Sequence, residues 1–134
     1  MKGRKPDKIV SGNMQTVPNP PAWLSRLGKQ EWRKVAPILV ERKHLTEADL
    51  GTLAAYADAA GQLAEATRLV NRDGMVVQTD KGPRKHPAIS IQQNARNQVR
   101  QLAAELGLTP VSRSRPSVRA DNQDDDDDNP LNVS

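Results

Sequence analysis

Cysteine is missing from all 134 residues, so the chain holds neither a disulfide framework nor thiolate-ligated zinc, which is compatible with a reducing compartment. Phenylalanine is missing as well, and the aromatics are reduced to Trp23, Trp32 and Tyr56. A core must then come from Leu, Val, Ile and Ala, which bury less area per residue than rings do, and association becomes a route to stability. No apolar run approaches the ~20 residues of a membrane span. The basic N-terminus has no hydrophobic segment behind it, so neither an anchor nor a signal peptide is expected. Catalytic signatures are equally scarce. There is no Gly-x-x-x-x-Gly-Lys-Ser/Thr phosphate cradle. His44 and His86 fall at predicted helix ends without cysteines or clustered carboxylates, and the aspartate run at 124–128 lacks the glycine-punctuated spacing of a calcium loop. No acid/base pair can be nominated from spacing. The expectation is a protein that binds and organises, not an enzyme, with no cofactor and no metal.

What is present is one small domain with two tails: an arm over 1–21, a helical core over 22–116 and an acidic tail over 117–134. The formal net charge of +4 conceals an asymmetry. Residues 1–120 carry 20 basic against 10 acidic side chains, a net of +10, while 121–134 carry six aspartates and no base. A basic body with an acidic tail is the charge pattern of a polyanion binder, although proteins that bind nothing charged also show it.

The chain is organised around residues 45–74. Thr46 and Asp49 form a capping box, Leu45 can staple onto Leu50, and the helix is expected to start near Glu47. Leu53, Tyr56, Ala57, Ala60, Leu63, Ala64, Thr67 and Val70 then recur at helical spacing until Asp73-Gly74 offers a left-handed stop. Such a rod, roughly 40 Å long at ~1.5 Å per residue, is long for so small a domain. Its eight alanines between Ala48 and Ala66 permit close approach. Two readings stand open: the central helix of a monomer, or a helix shared between subunits through Leu53, Tyr56, Ala57, Ala60, Leu63 and Ala64.

Before it, prolines and glycines block regular structure through Pro21, and Lys2, Arg4, Lys5 and Lys8 make an extended basic arm. Gly-Arg-Lys-Pro is similar to the Arg-Gly-Arg-Pro core of minor-groove hooks, although as a bare motif it is more often a solvated tail. A first helix follows with Trp32, Val35, Ala36 and Leu39 on one side, and a kink or restart is expected at Pro37. After the central helix, residues 75–79 and 83–86 read as a hairpin around Asp80-Lys81-Gly82. Lys81, Arg84 and Lys85 at its tip suit DNA or a neighbouring subunit. His86-Pro87 opens a third helix with an apolar stripe of Ala88, Ile91, Ala95, Val99, Leu102, Ala103 and Leu106. Its other face, Gln93, Asn94, Arg96, Asn97, Arg100 and Gln101, suits nucleic acid, polar subunit contacts or plain solubility. Beyond the aspartates, Leu131 and Val133 have the form of a short docking peptide. The fold expected is mainly α: a three-helix core with a long central helix, a small β-hairpin between the second and third helices, and disordered tails.

The order of these features resembles the small terminase subunit of tailed double-stranded-DNA phages. The resemblance is carried by Gly3-Arg4-Lys5-Pro6, Glu31-Trp32, Ala36-Pro37-Ile38-Leu39, Leu45-Thr46-Glu47-Ala48-Asp49, His86-Pro87 and the closing Leu106-Gly107-Leu108-Thr109-Pro110 with Ser112-Arg113. It implies a non-enzymatic DNA-packaging factor in the host cytoplasm, assembling as a homo-oligomeric ring. Such a factor binds double-stranded viral DNA at the packaging site and recruits and stimulates the large terminase subunit. The candidate DNA contacts are then Lys2, Arg4, Lys5 and Lys8 first, Arg96 and Arg100 second, with Lys81, Arg84 and Lys85 of the hairpin. The rival readings are a small phage or bacterial DNA-binding regulator and an adaptor that binds only protein. Against the regulator, the connection over 42–46 leads into a helix too long and alanine-rich for a recognition helix.

Overall fold

In the computed structural model, which describes residues 14–109, the central helix begins at a carboxylate cap. Asp49 accepts from the Thr46 backbone N–H at 3.0 Å and from the Thr46 hydroxyl at 2.9 Å, completing the expected capping box. The first turn, Glu47–Asp49, is a tight 3₁₀ turn, so helix α2 proper spans Leu50–Asp73 and starts one turn later than the sequence suggests. Its 24 residues rise about 36 Å. Gly74 ends it with φ +89°, but with ψ at 159° the chain leaves in the extended, glycine-only region instead of a left-handed turn. That geometry feeds the backbone directly into a strand.

Helix α1, Arg26–Glu41, starts where the Ser25 hydroxyl accepts from the Gly28 N–H at 3.0 Å. It buries Trp32, Val35, Ala36 and Leu39, the stripe expected from their spacing. The helix runs through Pro37 without a restart. Pro37 and Arg33 are both exposed, so the carbonyl deprived of a donor lies on the wet side, where water replaces it. Helix α3, Ala88–Glu105, and α1 close alike, with paired bonds back into the last turn. His44 and Lys43 donate to the Leu39 and Val40 carbonyls at 2.9 and 3.0 Å, and Leu108 and Gly107 donate to those of Ala103 and Ala104 at 2.8 and 3.1 Å. The two ends meet. A Cβ on Gly107, whose φ is +75°, would stand 2.8 Å from His44 Nδ1.

The crossing of α1 over α2 is set by two glycines. A Cβ on Gly61 would lie 2.8 Å from the Gly28 nitrogen and 2.9 Å from Ser25 Oγ, so only a bare backbone fits. Because α1 begins at this crossing, among the described residues α2 is packed by two helices along its first half and by α3 alone beyond it. The first half holds the main core, in which Leu39, Leu45, Leu53 and Ala57 are fully buried with Trp32, Tyr56, Ala103 and Leu106 around them. The second half holds a thin cluster of Ala66, Val70 and Ala88, flanked by half-buried Leu69 and Ile89.

Two short strands, β1 (Val76–Thr79) and β2 (Gly82–Lys85), pair antiparallel with Thr79 opposite Gly82, leaving Asp80 and Lys81 as the loop. Thr79 Oγ1 accepts from the Lys81 N–H at 3.1 Å and donates to the Gly82 carbonyl at 2.8 Å, bracing that loop. The mainly helical architecture, the long central helix and the placement of the hairpin are those read from the sequence.

Candidate nucleic-acid and subunit surfaces

Charge is distributed by pairing. On α2, Arg68 Nη2 reaches Glu65 at 2.6 Å and Arg72 binds Asp73 through two bonds of 2.6 and 2.8 Å, so these cations are already answered. Each holds its partner carboxyl below the usual range, Asp73 most strongly, first through Arg72 and then through His86. On α3 and the hairpin the cations meet no carboxylate. Arg96, Arg100, Lys81, Arg84 and Lys85 are all exposed and none forms an ion pair among the described residues. Arg100 reaches only the Asn97 side chain at 3.5 Å, and Arg84 only the Pro83 carbonyl at 3.1 Å. Gln93, Asn94, Asn97 and Gln101 are exposed beside the two α3 arginines, giving a face of amides and guanidiniums without a carboxylate.

The helix expected to be shared between subunits divides. Leu53 and Ala57 are wholly buried and Tyr56 is nearly so, spent in the chain's own core. The Tyr56 hydroxyl donates to Glu31 at 2.7 Å, and burial together with that carboxylate pushes its pKa up. Ala60 and Leu63 are half-buried and Ala64 is exposed, and they line a shallow depression with Thr67 and Val99 that remains open to a partner. The third helix departs from its expected stripe at Ile91, which is 50% exposed because α1 does not extend this far. Lys2, Arg4, Lys5, Lys8, Leu131 and Val133 lie outside the described residues.

Two features go beyond the sequence reading. His86 is buried, with Nδ1 accepting from the Ala88 N–H at 3.0 Å and Nε2 2.9 Å from Asp73 Oδ2. The tautomer protonated on Nε2 satisfies both, so the imidazole caps α3 and ties it to the end of α2. A histidine immediately before Pro at a helix start is the available signal. The other feature is an apolar groove of about 240 Å³ between α2 and α3, lined by Gly61, Ala66, Leu69, Ala88 and Ile91 and rimmed by Asp58, Gln62 and Glu65. The rim is visible in principle, since Asp58, Gln62, Glu65 and Leu69 follow spacings of four, three and four along one helix.

Among the described residues no group of three His, Cys, Asp or Glu side chains is placed to hold a metal ion, and no helix is long and apolar enough to cross a membrane. Compared with known proteins, the chain matches over residues 28–123 a family model described as the small subunit of phage terminase. No curated protein and no solved structure matches.

Proposed function

The chain belongs to the phage terminase small-subunit family, which places it in phage DNA packaging, and on that basis we propose that it is the non-catalytic DNA-binding component. In this reading it assembles as a ring, holds double-stranded viral DNA and recruits and stimulates a large terminase subunit carrying the motor and nuclease. The family match carries the proposal. The α3 face, whose arginines form no ion pair among the described residues, supports the DNA part, because guanidiniums not held by a carboxylate can meet phosphate and amides can serve phosphate or base edges. The basic arm of Lys2, Arg4, Lys5 and Lys8 adds a second contact, and a ring would repeat each weak contact and raise avidity without a strong individual site. The open depression at Ala60, Leu63 and Ala64 supports association, and Leu131 with Val133 is the proposed docking peptide for the large subunit.

The test is salt-dependent DNA binding together with solution mass. Arg96→Ala with Arg100→Ala should flatten the slope of log K against log salt by about 0.9 for each phosphate that is no longer neutralised. Light scattering should show a discrete assembly of many subunits. An unchanged slope would remove α3 from the DNA surface, and a persistent monomer or dimer would favour the small-regulator reading instead.

A further inference from the structure

The second half of α2 leaves two unlike surfaces unpartnered. One is the groove between α2 and α3, apolar along Ala66, Leu69 and Ile91, with Asp58 and the Arg68-paired Glu65 at its rim. Among the described residues Asp58 forms no ion pair and accepts from the Gln62 amide at 3.3 Å. The other surface is the hairpin. Met75 and Val76 are 68% and 61% exposed, and Lys81, Arg84 and Lys85 lie just beyond them with no carboxylate partner among the described residues. No hairpin residue lines the groove of its own chain. A two-stranded hairpin without a packed face is marginal in water, so this one calls for a surface to dock on. Strand addition along β2 is disfavoured, because Pro83 lacks a donor and Arg84 and Lys85 charge that edge.

Apolar matches apolar and charge opposes charge. We propose that the hairpin of one copy seats in the α2–α3 groove of a second copy, with Met75 and Val76 against Leu69 and Ile91 and the hairpin cations against Asp58. This rests on the assembly reading above and deepens it by naming the two surfaces. It also moves Lys81, Arg84 and Lys85 from DNA to the subunit contact. Because donor and acceptor are different patches of one chain, the contact is head-to-tail, the class that closes into rings when the rotation permits.

The test has two parts on the full-length protein. First, Asp58→Lys, and separately Arg84→Glu with Lys85→Glu, should each raise the concentration for half-assembly about tenfold or more, and the three changes together should restore it. Second, the chain's lack of cysteine permits mixing of Val76→Cys and Ile91→Cys proteins under oxidation. A covalent dimer should form in the mixture and in neither variant alone. A wild-type protein that stays monomeric overturns both the contact and the ring. A wild-type assembly indifferent to the reversals overturns the contact alone. Loss of DNA binding by Arg84→Glu with Lys85→Glu without change in mass returns the hairpin to DNA, and a dimer from Val76→Cys alone makes the contact hairpin to hairpin.

Discussion

The two ends of α2 are built from the same alanine-rich helix and differ in company. At the first end, α1 and α3 both pack on it, and large aliphatic side chains reach complete burial at Leu39, Leu45 and Leu53. At the second end α3 is its one helical neighbour among the described residues, the buried apolar cluster is Ala66, Val70 and Ala88, and Met75, Val76 and Ile91 are left to solvent. One end is thus folded by its own sequence, while the other is held by polar ties and is open to company.

Three perturbations test that contrast. The largest effect is expected from Leu53→Ala in the three-helix end, about 2–5 kcal/mol, because the cavity is walled by three helices and collapses poorly. Val70→Ala at the other end should cost only about 1–2 kcal/mol, near the transfer value of the deleted carbons at ~0.8 kcal/mol each. Equal losses in urea denaturation would erase the distinction between the ends. Next is Gly61→Ala at the crossing, where the new methyl meets the Gly28 backbone. A net loss of about 2 kcal/mol is expected after the ~1 kcal/mol gain in helix propensity, and a more stable variant would mean that α1 shifts easily.

The smallest effect is a pH dependence confined to the hairpin end. Arg72 and His86 hold the Asp73 carboxyl well below the ordinary aspartate value of about 3.9. The unfolded segment therefore binds the proton first. The stabilisation is complete above that ordinary value and is lost as pH falls below it toward the folded value. Amide protection at Ala88 and in the hairpin should decline below about pH 4 while that of the Leu53 region holds. Asp73→Asn should remove the acid dependence, and an identical decline in that variant would assign it to another group.

Much of this was legible. Thr46, Asp49 and Gly74 bracket α2, the stripe from Trp32 to Leu39 faces the core, and Gly82 lets the hairpin turn with φ +98°. Periodicity reports which face of a helix is apolar, but not how much of its length a neighbour covers. Leu63, Ala64 and Ile91 therefore read as buried beside Leu53 and Ala57, although the start of α1 at Arg26 leaves them at the margin. The glycine crossing was hidden because Gly61 sits in a run of alanines and looks like one more small residue. The α3 face was legible as polar and acid-free. That its arginines are unpaired while those of α2 are neutralised depends on side-chain reach, which spacing does not specify.

The buried tryptophan belongs to the three-helix end. Trp32 is buried on α1 with its indole N–H donating to the Pro18 carbonyl at 2.8 Å, and Trp23 stands just ahead of that helix. Trp32 emission is thus an optical reporter of the three-helix end, and neither the hairpin nor α3 holds a tryptophan, whereas far-ultraviolet dichroism averages over both. Melting curves from the two signals coincide only if the molecule unfolds as one unit. A gap between them would be a direct reading of how loosely the far end of α2 is coupled to the near one.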